Sequence, residues 1–102
     1  MKFLFEVQIR EGYSAEAYAD VWVRASQLIQ QAAGARGTEL HRKIGDDRVL
    51  IAIAHWDSKA DRDAMEAQPK ETIKKIIQEA APYVDIKVIG EFEDPEWVVE
   101  PK

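Results

Sequence analysis

A chain of 102 residues with 46% hydrophobic and 32% charged residues has the balance of one globular domain, against disorder and with no apolar run long enough to span a bilayer. Its formal net charge of -5, without any Lys/Arg cluster, excludes the concentrated positive charge that nucleic acid or an anionic membrane surface requires. It has no cysteine, which excludes disulfides, thiolate metal sites, iron–sulfur clusters and a cysteine nucleophile.

In chain order, Phe3, Phe5, Val7 and Ile9 alternate with Glu6, Gln8 and Arg10, the period-two pattern of a strand. The early charges break any unbroken apolar core of a signal peptide, so a cytoplasmic protein is expected. Ser14 is placed to cap a helix, with Glu16 near the positive end of its dipole. Tyr18, Val21, Trp22, Ala25, Leu28, Ile29 and Ala32 then recur at helical spacing, and Gly34 is expected to end that helix. Two strands follow, Thr38 to Ile44 and Arg48 to Trp56, paired antiparallel across the turn Gly45-Asp46-Asp47. Ser58 caps a second helical stretch, with Asp61 three residues on. Pro69 is expected to break that stretch, and Ile73, Ile76, Ile77 and Ala80 carry the stripe on to Pro82. Val84, Ile86, Val88 and Phe92 mark a last strand.

This order predicts an α+β, ferredoxin-like (βαββαβ) domain over residues 1–92, a four-stranded antiparallel sheet with helices on one face. Residues 93–102 are expected to form an arm or tail. The third strand is apolar on both sides: Val49, Ile51 and Ile53 form one set, and Leu50, Ala52, Ala54 and Trp56 the other. A strand of that kind is normally covered on both sides, and leaving one side in water would forgo several kcal/mol at about 25 cal/mol per Å². A homodimer is therefore expected, with small Ala52 and Ala54 on the face that receives the second copy.

The element order, the loop Gly34-Ala35-Arg36-Gly37 and the junction His55-Trp56-Asp57-Ser58-Lys59-Ala60 together resemble the antibiotic biosynthesis monooxygenase (ABM) domain of the dimeric α+β barrel superfamily. The resemblance implies a homodimer with its sheets face to face and a pocket in each subunit between sheet and helices. It also implies chemistry among the family's range: cofactor-independent oxygenation of phenols or quinols, haem degradation, or isomerisation of small signal molecules. Many members carry a histidine in the helix after the junction. Here Ala64-Met65-Glu66 stands there and no histidine follows His55, so axial haem ligation from that helix is not expected. The chain also has no asparagine to place in the pocket.

The candidate site residues follow. His55, read as part of an inward-facing set on the third strand, is the candidate general base, since it alone there exchanges protons near neutral pH; the plainer role is a tie between strand end and helix start. His41 groups with Glu39 and Lys43 on a wet face. Tyr18 and Trp22 share the buried side of the first helix and could bind a planar substrate or simply fill the core. Trp56 is a further substrate-binding candidate, although its alternation sets it on the second face, where it could instead anchor the interface. Glu6, Gln8 and Arg10 are read onto that same second face. The run Asp57 to Glu66 reads as a solvated helix face with local ion pairs. Neither histidine has a carboxylate at ligand spacing, so no metal is expected. The resulting expectation is a cofactor-independent enzyme acting on a small aromatic, phenolic or quinol-type molecule. The alternative is a non-catalytic dimeric module that binds a small hydrophobic ligand or serves as a structural partner.

Overall fold

The computed structural model describes residues 1–68 and 70–102. Strand β1 (Lys2–Ile9) leads to helix α1 (Ala15–Ile29), followed by β2 (Ala35–Lys43) and β3 (Asp46–Trp56). Two helices come next, α2 (Lys59–Ala67) and α3 (Glu71–Ala80), then a single 3₁₀ turn (Ala81–Tyr83) and β4 (Val84–Phe92). The break expected at Pro69 lies outside the described residues. All pairings are antiparallel and the strand order is β2-β3-β1-β4, so the expected ferredoxin-like α+β architecture is the one observed.

Local chemistry sets the boundaries. Ser14 Oγ accepts a hydrogen bond from the Ala17 N–H at 3.1 Å, and Ser58 Oγ accepts one from Asp61 N–H at 3.1 Å. Each satisfies a donor that a helix start leaves free. Helix α1 ends earlier than expected. After Ile29 the chain tightens into i→i−3 bonds, Gln31 N–H to Leu28 O and Ala32 N–H to Ile29 O, and it reaches Gly34 as a turn beyond the helix. The β2–β3 turn is also shorter: Lys43 pairs with Asp46, and only Ile44 and Gly45 lie between, Gly45 with φ of 91°, a conformation in which glycine meets no side-chain penalty.

Register decides which side of each strand meets the helices. Phe5 pairs with Ala52 and Val7 with Leu50, and directly paired residues share a face. The buried core is built on that face, with Val7 at 0% exposure, Leu50 at 3% and Val84 at 6%, closed from above by Tyr18 and Val21 of α1. The face assignment expected for β3 is therefore reversed. Leu50, Ala52, Ala54 and Trp56 point toward the helices, while Val49, Ile51, Ile53 and His55 lie on the opposite face. Glu6 pairs with Ile51 and Gln8 with Val49, so those polar residues also belong to the helix-free face. The alanines lie beneath the helices instead of under a partner chain.

The C-terminal segment does not roof the helix-free face. Residues 93–102 form no regular helix or strand, and Trp97 and Val99 stand 86% and 95% exposed. The Met1 amine donates hydrogen bonds to the Trp56 carbonyl at 3.0 Å and to the Asp94 carboxylate at 2.8 Å. Among the described residues no helix is long and apolar enough to cross a membrane.

Candidate active site

Between the sheet and the helices lies a cavity of about 750 Å³, within the usual range for small-molecule sites. Phe3 and Phe5 of β1, Ala54 and Trp56 of β3, and Val84 of β4 form its floor. Tyr18, Val21, Trp22 and Ala25 of α1 form one wall, and Met65 of α2 with Ile73 and Ile77 of α3 form the other. The space has a clear origin. Ala25 and Ala54 project little more than a methyl group where larger side chains would meet, and α2 buries none of its residues, so it stands off the sheet. Its first turn is held instead by contacts of Lys59 and Arg62 with Glu91 of β4.

Three of the four residues singled out from the sequence come together here. Tyr18, Trp22 and Trp56 all line the cavity. Trp56, 4% exposed, is on the cavity side, which corrects its assignment to the interface face. His55 does not join them. Its partner across β1 is Lys2, and its Nε2 lies 3.4 Å from Glu39 Oε1 on the helix-free face. The inward placement of His55 is thus corrected, because one residue of strand advance turns a side chain to the other side of a sheet. His41 Nε2 stands 3.5 Å from the same Glu39 oxygen. The two rings hold the Glu39 carboxyl below its ordinary range, hydrogen bonding from His55 being the largest cause. Among the described residues no group of three His, Asp or Glu side chains is arranged to hold a metal ion.

Arg62 is the residue that sequence reasoning missed. Read within a solvated run, its side chain is 12% exposed and its guanidinium lies 3.6 Å over the Phe3 ring at the cavity wall, a cation–π arrangement. Nη1 pairs with Glu66 at 3.0 Å and lies 3.8 Å from Glu91. The available signal was the spacing of Arg62 and Met65, three residues apart and therefore on one helix face.

Two further polar residues of the lining are engaged. Gln30 Oε1 accepts from the Gly37 N–H at 2.7 Å, and Thr38 Oγ1 donates to the Ile53 carbonyl at 3.0 Å. Burial pushes the Tyr18 hydroxyl up to about 12, so it stays protonated at neutral pH.

The junction that carries Trp56 is clamped from outside. Arg36 Nε and Nη2 grip the two Asp57 oxygens at 2.6 and 3.1 Å, a bidentate geometry, and hydrogen bonding to Arg36 holds the Asp57 carboxyl below its ordinary 3.8. A carboxyl whose pKa is lowered by folding contributes stability that is complete above its unfolded pKa and is lost as pH falls through the folded one. The expected result is a melting-temperature gap between the wild type and Asp57→Asn at pH 6 that closes as the pH is taken below 3.8. The pair is exposed, so the gap is small. Parallel curves across that range would show that the clamp is not the origin.

Comparison with known proteins agrees with this architecture. The profile of the antibiotic biosynthesis monooxygenase family matches residues 2–70. No curated protein matches. Among solved structures, the chain is similar to a variant of SnoaB, a cofactor-independent oxygenase from Streptomyces nogalater. The TM-score there is 0.82 at 17% identity, over 97% of this chain and 96% of that one. A second SnoaB structure gives 0.72 at 13% identity, over 94% and 96%. A further antibiotic biosynthesis monooxygenase gives 0.69 at 12% identity, over 93% of this chain and 100% of that one. With the profile spanning more than half its length and a sheet of the same architecture, the chain belongs to the antibiotic biosynthesis monooxygenase family.

Proposed function

We propose that this protein is a cofactor-independent monooxygenase-like enzyme of the cytoplasm, acting on a small aromatic, phenolic or quinol-type molecule held in the cavity. The observation that carries the reading is the cavity itself: about 750 Å³, walled by Phe3, Phe5, Tyr18, Trp22 and Trp56, in a chain of this family. Aromatic walls favour a planar ring by stacking and burial. The apolar lining also reduces the water around a deprotonated, electron-rich phenol that can react with dioxygen directly. Two chains pair through the helix-free sheet face, where Val49, Ile51 and Ile53 are only half covered.

His55 belongs to that paired face and is not assigned the proton-accepting role within the cavity. A ligand there gives up its proton to solvent or to Glu66, the one carboxylate among the described residues lining the cavity. That same scarcity favours the second reading, a non-catalytic dimeric module that binds a small hydrophobic ligand: Glu66 is already paired with Arg62.

Oxygen consumption measured against a panel of hydroquinones separates the two. Turnover by the wild type, unchanged in His55→Ala and lost in Trp56→Ala with the fold intact, is the expected pattern. Tight binding of the panel without oxygen uptake would establish the module. A large loss in His55→Ala would return the base role to that histidine.

A further inference from the structure

Tyr18 is 6% exposed and lines the cavity from α1. A tyrosine buried to this extent usually gives its hydroxyl a partner, because an unmet polar group in an apolar setting is costly. Here the hydroxyl makes no hydrogen bond to any other described residue, yet it is not among the buried polar atoms sealed away from solvent, of which Arg24 Nε is the example among the described residues. An unpartnered hydroxyl that retains access, on a residue forming the wall of a large apolar cavity, has the cavity itself as its source of an acceptor.

The charge balance narrows what that acceptor is. Arg62 is stacked on Phe3 and already faces Glu66 and Glu91, and Lys74, the other cation among the described lining residues, is exposed to solvent, so no buried cation is left free to anchor an anion. What the cavity offers at Tyr18 is a neutral donor in an apolar cleft. The protonated state of Tyr18 at neutral pH suits a donor and not a base.

We propose that the Tyr18 hydroxyl orients the ligand, donating a hydrogen bond to a neutral carbonyl-type oxygen on an otherwise apolar ring system, and thereby selects oxygenated rings over plain hydrocarbons of the same shape. This rests on the reading of the cavity as the ligand site and adds to it the group that reads the ligand's oxygen.

The test uses a matched pair of bicyclic probes of similar shape, 1-tetralone and tetralin, which differ by a carbonyl in place of a methylene. Trp22 and Trp56 line the cavity, so their fluorescence reports binding directly. The exposed Trp97 is replaced in all samples (Trp97→Phe) to remove its background. The ratio of tetralone to tetralin affinity is expected to fall roughly three- to tenfold in Tyr18→Phe, the size of one neutral hydrogen bond, with tetralin bound as well as before. An unchanged ratio overturns the inference and leaves the cavity reading standing. Should Tyr18→Phe fail to fold, the carbonyl stretch of ¹³C-labelled tetralone bound to the parent protein decides. A shift to lower wavenumber than in a hydrocarbon solvent supports the hydrogen bond, and coincidence with that solvent overturns it. If neither probe binds, the cavity reading falls and the inference falls with it, whatever the oxygen-consumption screen gives.

Discussion

With two chains paired as proposed, Ile51→Lys is expected to convert the particle to one of a single chain, without loss of secondary structure. Ile51 sits on the helix-free face between Val49 and Ile53, and its strand is flanked there by Glu6 on β1 and His41 on β2. On this face Val49, Ile51 and Ile53, with Leu4 beside Ile53, form an apolar stripe along β3, bordered by Glu6 and Gln8 on β1 and by Glu39 and His41 on β2. That is the anatomy of an interface: an apolar middle ringed by groups that tolerate water. A stable pairing of this kind covers roughly 800 Å² per chain. A lysine at its centre would have to bury an ammonium, and under two-fold symmetry two of them lie near one another, at a cost of several kcal/mol. In the separated chain the same lysine simply faces water. Light scattering coupled to gel filtration at micromolar concentration reads the mass, and far-ultraviolet circular dichroism checks the fold. A wild type that runs as one chain would remove the pairing altogether. A variant that stays at two-chain mass would move the interface elsewhere, with the exposed Trp97 arm as the next surface to alter.

The same strand shows how far the sequence could be read. Alternation in β1, the serine caps before α1 and α2, and the two-sided apolar character of β3 each have a local cause, and each is present where the pattern placed it. Which side of β3 meets the helices was not legible. Both of its residue sets are apolar, so periodicity gives the alternation but not its phase. The phase is set by pairing with β1, where Val7 lies opposite Leu50 and not opposite Val49. That single step sends Trp56 into the cavity and His55 out of it. Arg62 escaped notice for a related reason. A charged side chain with a long apolar stem reads as solvated in sequence, and only the placement of Phe3 beneath α2 turns it into a wall. The cavity is a consequence of α2 standing off the sheet, a tertiary result with no motif to announce it.

What keeps α2 at that distance leads to the second large effect. Gly34 has φ of +83°, and a Cβ built on it would collide with Asp61 Oδ2 and lie 2.6 Å from Asp61 Cβ. The latter atom is close to the backbone and cannot swing away. Asp61 is itself fixed by the Ser58 hydroxyl, which donates to Oδ2 at 3.0 Å, and the Gly34 carbonyl accepts from the Asp57 N–H at 2.8 Å. The loop after α1 therefore rests directly on the first turn of α2. Gly34→Ala adds the strain of a left-handed alanine, about 1–2 kcal/mol, to an overpacking cost of similar size. A loss of roughly 2–4 kcal/mol is expected, which for a domain of this length lowers the melting temperature by at least 10 °C or so. Gly37 supplies the control. Its φ of +95° imposes a comparable backbone strain, but a Cβ there meets nothing within 4 Å, so Gly37→Ala is expected to lose only the conformational part. Arg62 and Met65 ride on α2, so the displaced helix should also weaken binding of a cavity probe in Gly34→Ala and not in Gly37→Ala. Equal melting temperatures for the two variants would mean that Asp61 yields freely. The seat of α2, and with it the shape of the cavity, would then have to be set by the contacts of Lys59 and Arg62 with Glu91 instead of by this glycine.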